Sequence, residues 1–176
     1  METTVAKTKS KVVASRTTAR RRLHRMAGGK FSGEGVVNFC VRGSSGKSTS
    51  NQYTPAKLVE VLQAGLPFRE LQVLQASLAV PAERLAPMLG ISKATFHRRK
   101  GDASKLPTAV SDRVLRYARL LGQAFKVFED QDSAKQWLNA PQVGLGGAVP
   151  LDYAKTEIGA REVENLLGRI EYGVYS

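Results

Sequence analysis

Between Pro107 and Phe128 the residues Val110, Val114, Tyr117, Leu121, Phe125 and Phe128 recur at steps of 4, 3, 4, 4 and 3. Only a helix of about 3.6 residues per turn gathers such a set on one face, so the stretch predicts a long amphipathic helix. A stripe this long needs partners, and the flanking sequence supplies them at helical spacing. Thr54 is placed to cap a helix, with Pro55 in its first turn and Leu58, Val61 and Leu62 on one side. Gly65 and Pro67 interrupt the chain, and Phe68, Leu71, Leu74 and Leu78 mark a second helix that ends near Val80-Pro81. Pro81 opens a third, with Leu85, Met88 and Leu89 inward and Gly90 as its stop signal. Ser92 caps a fourth, expected from Lys93 to about Lys100 and closed by Gly101. Beyond the long helix, Asp132 reads as the cap of a short helix carrying Trp137 and Leu138 as core residues. Residues 139–150 read as a Gly/Pro loop, and residues 159–172 as a last helix with Val163, Leu166, Leu167 and Ile170 inward. From Thr54 onward the expected fold class is all-α, with no internal repeat.

Residues 1–50 follow other rules. The first thirty are rich in Thr, Ser, Lys and Arg and hold few large apolar side chains, too few to offset the entropy of ordering them. Arg20, Arg21, Arg22, His24 and Arg25 make a basic arm, which is either a solvated tail or a sequence-blind contact to any duplex. The β-prone run Val36-Val37-Asn38-Phe39-Cys40-Val41 reads as a strand without an evident partner. Gly43-Ser44-Ser45-Gly46-Lys47-Ser48-Thr49 invites a phosphate-loop reading, but that loop needs a glycine where Val41 stands, so a flexible linker is expected.

Charge divides the chain. The net formal charge of +12 distributes as +9 over residues 1–50, +7 over residues 51–126 and −4 over residues 127–176. A basic front and an acidic tail suggest two different partners, the first a polyanion. The single cysteine, Cys40, excludes an internal disulfide framework and a Cys-rich zinc site. No apolar run approaches the ~20 residues of a membrane span, and the basic N-terminus lacks the apolar core of a secretory signal. A cytoplasmic protein is expected, associated with the nucleoid when bound to DNA.

The strongest local motif is a helix-turn-helix over residues 81–100. Small Ala86 allows close approach of the two helices, Gly90 permits the turn, and Leu85, Leu89, Ile91 and Phe96 seal the angle between them. The second helix offers Ser92, Lys93, Thr95, His97, Arg98 and Arg99, with no acid before Asp102. Hydroxyl and amide donors at its start suit phosphates and base edges, and its cations suit guanines and backbone. Arg99 stands where this motif usually carries an apolar residue, which predicts an early end or a tilt. The other reading is an α-hairpin with a solvated basic face.

No catalytic constellation is visible. His24 and His97 lack a carboxylate nearby in sequence, no spacing suggests metal ligands, and Cys40 has no partner for nucleophilic chemistry. Neither enzymatic activity nor a cofactor is expected. The closing residues are less plain: Tyr172, Val174 and Tyr175 surround Gly173 where a frayed polar end is usual, so this tail is expected to dock on its own core or on another protein.

From about Leu58 to Ser176 the chain resembles the Xre/MbcA/ParS-type antitoxins encoded with RES-domain toxins. The resemblance rests on Gly65-Leu66-Pro67, on Leu89-Gly90-Ile91-Ser92 with Arg98-Arg99, and on Ser111-Asp112-Arg113. It continues through Ala134, Trp137-Leu138, Pro141, Leu145-Gly146-Gly147, Pro150-Leu151 and Gly159-Ala160-Arg161-Glu162-Val163 to Leu167-Gly168-Arg169-Ile170-Glu171-Tyr172-Gly173. It implies a bacterial type II module in which the C-terminal domain obstructs the active site of a toxin that consumes NAD. The helix-turn-helix would bind the operon's own promoter. Implied partners are a cognate RES-domain toxin and operator DNA, with a homodimer that forms a hetero-oligomer with toxin and no membrane contact.

Three parts are therefore expected: a flexible basic arm and linker over 1–53, a helix-turn-helix domain over 54–128, and a toxin-binding domain over 129–176. DNA contacts are assigned to Ser92, Lys93, Thr95, His97, Arg98 and Arg99. Toxin contacts are assigned to Arg161, Glu171, Tyr172, Gly173, Val174, Tyr175 and Ser176, with Arg161 alternatively pairing inside its own helix. The competing functional readings are a stand-alone regulator whose C-terminal helices only dimerise, and a basic protein that coats nucleic acid through residues 1–50.

Overall fold

The structure, a computed structural model, describes residues 35–43, 54–99 and 104–174. The basic arm of residues 1–34 and the whole Gly/Ser segment after Gly43, residues 44–53, lie outside these, as do residues 100–103, Tyr175 and Ser176. Nine α-helices are found among the described residues: α1 (Val36–Gly43), α2 (Pro55–Ala64), α3 (Phe68–Leu78), α4 (Ala82–Met88), α5 (Lys93–Arg98), α6 (Thr108–Phe128), α7 (Gln131–Asn139), α8 (Pro150–Tyr153) and α9 (Glu157–Glu171). Among the same residues there is no strand, only two isolated bridges, Pro67 with Lys105 and Gln142 with Ala148.

The long stripe sets the architecture. Along α6, Val110, Val114, Tyr117 and Leu121 are buried and Phe125 and Phe128 half-buried, and the helix packs against α1, α2, α3, α7 and α9. Helix α3 buries Phe68, Leu71, Leu74 and Leu78, the four residues its spacing marks as inward. Helix α2 starts where its cap predicts, Thr54 Oγ1 accepting from the Lys57 amide at 3.3 Å, but it is only half-buried along Leu58, Val61 and Leu62. Ser111 fastens α6 to the segment before α3: its Oγ accepts from the buried Leu66 amide at 2.9 Å and donates to the Pro107 carbonyl at 3.1 Å.

The strand expected at residues 36–41 is a helix. Val36, Val37 and Cys40, at i, i+1 and i+4, lie on one face of α1, against α3 and α6. With no strand alongside, the backbone amides and carbonyls must be satisfied within the segment, and a helix does so despite its β-branched residues. Glu70 of α3, itself 3% exposed, accepts from the Val37 amide at 3.0 Å and so satisfies an N-terminal donor of α1. Its carboxylate fills the space a side chain at Gly35 would need. Helix α1 thereby belongs to the compact unit Gly35–Ser176 rather than to a free linker.

Two termini also differ from expectation. Asp130, not Asp132, caps α7, its Oδ2 accepting from the Ser133 amide at 2.7 Å. Glu129 takes a left-handed φ of 55° that ends α6, so the next residue is the one free to cap; Asp132 falls in the first turn and pairs with Lys135 at 3.3 Å. Helix α9 begins at Glu157, capped by Thr156, whose Oγ1 accepts from the Gly159 amide at 3.1 Å. The expected loop over 139–150 holds a 3-10 turn at Val143–Leu145, and α8 follows it at once.

Candidate functional sites

Helices α4 and α5 meet at a turn built for one angle. Leu85, Ala86 and Leu89 are fully buried, Phe96 is 1% exposed, and the Phe96 ring meets Phe68 edge-on at 5.6 Å. Ile91 is half-buried at the rim. Gly90 takes a φ of 68°, which an L side chain adopts only with strain. Arg113 of α6 closes the turn, its Nη1 donating to the Leu89 carbonyl at 2.9 Å. That cation lies at the carbonyl end of α4, where the helix dipole favours it.

On α5 the expected early end is present: the helix stops at Arg98, with Arg99 as its cap. Ser92 Oγ accepts from the Thr95 amide at 3.0 Å and lies 2.8 Å from Thr95 Oγ1, so both hydroxyls are engaged in starting the helix. Lys93, His97 and Arg98 are exposed, while Thr95 and Arg99 are half-buried. Lys93 and His97, four residues apart, share a face. One carboxylate that the local sequence hid comes from the preceding helix, Glu83 Oε1 lying 3.7 Å from His97 Nε2.

The C-terminal elements attach to this unit through specific bonds. Arg84 of α4 donates to Asn139 Oδ1 at 2.7 Å and to Asp152 Oδ2 at 3.1 Å. Burial works against a charge at Asp152, but Lys155 and Arg84 outweigh it and hold the carboxyl below its ordinary range. The buried Tyr117 hydroxyl donates to the Leu151 carbonyl at 3.2 Å, and burial pushes its pKa up to about 12. Arg116 donates to Glu157 at 3.0 Å and to the Lys155 carbonyl at 3.3 Å, pinning the start of α9.

Of the residues assigned to toxin contact, Arg161 is exposed and pairs within its own helix, 3.5 Å from Glu157. Glu171 pairs with Lys126 of α6 at 2.7 Å. The helix then stops in a defined way: the Gly173 amide donates to Ile170 and the Val174 amide to Arg169 at 2.9 Å, the paired bonds of a glycine C-cap. Tyr172 and Val174 are turned into solvent, 79% and 54% exposed. Three further apolar side chains stand out that sequence reasoning passed over: Val143, Tyr153 and Ile158. Ile158 carried a usable signal, since it lies off the inward stripe of Ala160, Val163 and Leu167.

A shallow cavity of about 460 Å³ between α1, α6 and α9 is lined by Cys40, Arg119, Gln123, Lys126, Glu164 and Asn165. Its charged groups serve each other: Arg119 donates to Glu164 at 3.0 Å, and Lys126 holds Glu171. Burial pushes the Cys40 thiol up to about 11, which keeps it protonated near neutral pH. Among the described residues no group of His, Cys, Asp or Glu is arranged to hold a metal ion, and no helix is long and apolar enough to cross a membrane.

Comparison with known proteins fits this two-part arrangement. Residues 57–119 match the antitoxin Xre-like helix-turn-helix domain, and residues 123–173 match the antitoxin Xre/MbcA/ParS C-terminal toxin-binding domain. Antitoxin Xre of Photorhabdus laumondii is 33% identical over 117 residues, covering 66% of this chain and 79% of that protein. Antitoxin Xre of Yersinia enterocolitica is 29% identical over 68% of this chain and 81% of its own length. A protein of Sphingobium named Prs ADP-ribosylating antitoxin is 26% identical over 70% of this chain and 83% of its own. Helix α1 lies before both matched segments. With its turn, its basic α5 and its capped α9 matched across both parts, the chain belongs to the Xre antitoxin family, joining a DNA-binding helix-turn-helix domain to a toxin-binding domain.

Proposed function

We propose that this antitoxin occludes the active site of a cognate RES-domain toxin that consumes NAD, and represses its own operon through α5. It acts by binding rather than by catalysis, in the cytoplasm, as a homodimer that forms a hetero-oligomer with toxin. The observation that carries the toxin half is the end of α9, where Gly173 stops the helix and leaves Tyr172 and Val174 in solvent beside Glu171. A cleft that accepts NAD offers cations for a pyrophosphate and flat slots for rings. Glu171 answers the first once it leaves Lys126, and Tyr172 and Tyr175 answer the second, with Gly173, Val174 and Ser176 completing the contact and Arg161 reaching a toxin carboxylate. On the DNA side, Lys93, Arg98 and Arg99 supply cations to phosphates and guanines, and Ser92, Thr95 and His97 complete the face. Two such faces related by a dimer axis suit two half-sites.

The test removes residues 172–176 and keeps Val163, Leu166, Leu167 and Ile170 to hold the fold. Co-expressed with the toxin encoded beside it, this variant is expected to keep its helical signal and operator binding yet fail to protect cellular NAD. Full protection by the shortened chain would show that the tail does not plug the active site.

A further inference from the structure

Among the described residues six large apolar side chains stand exposed; four of them lie in the segment matched as the toxin-binding domain and a fifth, Val174, directly follows it. These are Val143 (96% exposed), Tyr153 (41%), Ile158 (78%), Tyr172 (79%) and Val174 (54%). Single exposed apolar residues are ordinary on a soluble protein. These five, however, gather around one element: Ile158 lies on α9, Tyr172 and Val174 at its end, and the turn holding Val143 and the helix holding Tyr153 pack against it. Ile158 and Tyr172 are fourteen residues apart, close to four whole turns, so they share the solvent face of α9 at a separation of about 21 Å. Glu162 and Asn165 lie exposed between them. Tyr153 borders the start of this face, its carbonyl lying so close to Gly159 that no side chain fits there. Val143 borders the middle, because the next residue, Gly144, rests on the Leu166 side chain.

We infer that the outer face of α9 around Ile158, edged by Val143 and Tyr153, is a toxin-docking surface that grips the toxin independently of the tail, residues 172–176. The inference rests on the antitoxin reading above and divides the labour within it: the body of the domain supplies affinity, and the tail supplies inhibition. The toxin is the occupant because the face lies wholly inside residues 123–173 and leads along α9, past Glu162 and Asn165, to the start of the tail at Tyr172. Its composition also fits, since aliphatic and tyrosine side chains interspersed with polar ones are the make-up of non-obligate protein interfaces. The surface needs no refolding to be used, whereas the tail must leave the Lys126–Glu171 contact.

The experiment uses the full chain and an inactivated form of the toxin encoded beside it, with affinity measured by calorimetry. Ile158→Asp combined with Val143→Asp is expected to weaken binding by about 30-fold or more, the loss of one interface hot spot. Both side chains are exposed, so the thermal midpoint and helical signal should not move. Val59→Asp, at an exposed apolar residue of α2 far from this segment in sequence, should leave affinity unchanged. Removal of residues 172–176 should leave affinity within about tenfold while abolishing protection, as the division of roles requires. If the parent binds and the double aspartate variant binds within about threefold of it, the inference is overturned and the antitoxin reading stands. If the parent itself does not bind the toxin, both fall. A double variant that turns a dimeric parent into a monomer with toxin affinity intact marks the face as a self-association surface and also overturns the inference.

Discussion

Gly90→Ala tests the geometry on which the proposed operator reading depends. Two costs can be worked from the structure. The left-handed φ of 68° strains an alanine by about 1–2 kcal/mol. The new methyl group also lands on the Arg113 guanidinium, which must move from the Leu89 carbonyl it holds at 2.9 Å. A hydrogen bond from a charged donor contributes about 1.5–3 kcal/mol when buried, and Arg113 is half-buried, so about 1 kcal/mol is the appropriate share. The expected loss is about 2–3 kcal/mol, or about 4–12 °C in thermal midpoint for a chain of this size. Gly146→Ala supplies the control: its φ is 65°, nearly the same, and nothing lies within 4 Å of the position its new carbon would take. That variant should lose only the strain. The assay is urea unfolding of both variants, with operator affinity measured in parallel. Gly90→Ala should exceed Gly146→Ala by about 1 kcal/mol, and the excess should vanish when Arg113→Ala is added to Gly90→Ala and compared with Arg113→Ala alone. Equal losses for the two glycines would refute the argument that Arg113 braces the turn.

Two further outcomes are expected. Arg98→Ala with Arg99→Ala should weaken operator binding by about 1–3 kcal/mol for each side chain that reads a base, measured by titration at fixed salt on a variant with unchanged helical signal; unchanged affinity would remove α5 as the reader. Tyr117→Phe should cost about 1 kcal/mol at neutral pH by leaving the Leu151 carbonyl without its donor. The tyrosine's folded pKa of about 12 lies above its ordinary 10.0, so the parent's stability from this group is complete below pH 10 and falls as pH rises through 12. The phenylalanine variant should lack that alkaline loss, and parallel pH profiles for the two proteins would contradict the burial argument.

Antitoxins of this kind must serve two partners from one small body, and here the same helix carries both. Helix α6 braces the α4–α5 turn through Arg113 near its start, anchors α8 through Tyr117, fixes the start of α9 through Arg116 and holds Glu171 at the end of α9 through Lys126. Arg84 adds a direct tie from α4 to α7 and α8. The DNA-reading unit and the docking unit are thus connected by bonded side chains as well as by chain.

Features governed by local rules were legible in the sequence alone. The period of α6, the cap at Thr54, the turn at Gly90, the buried set of α3 and the short basic α5 each depend on residues within a few positions of one another, where backbone geometry and side-chain spacing suffice. The tertiary structure decided everything that required knowing what lies opposite. Residues 36–43 have strand propensity, yet they form a helix because α3 and α6 offer an apolar groove and the Glu70 carboxylate offers a cap, from 33 positions away. His97 gains Glu83 only because the turn folds α4 back over α5. Val143, Tyr153 and Ile158 look like core material by composition, and their exposure appears only once α9 has turned Ala160, Val163 and Leu167 inward. Propensity and periodicity act along the chain, whereas burial, capping across elements and the identity of an outer face are properties of surfaces that exist only after the elements have packed.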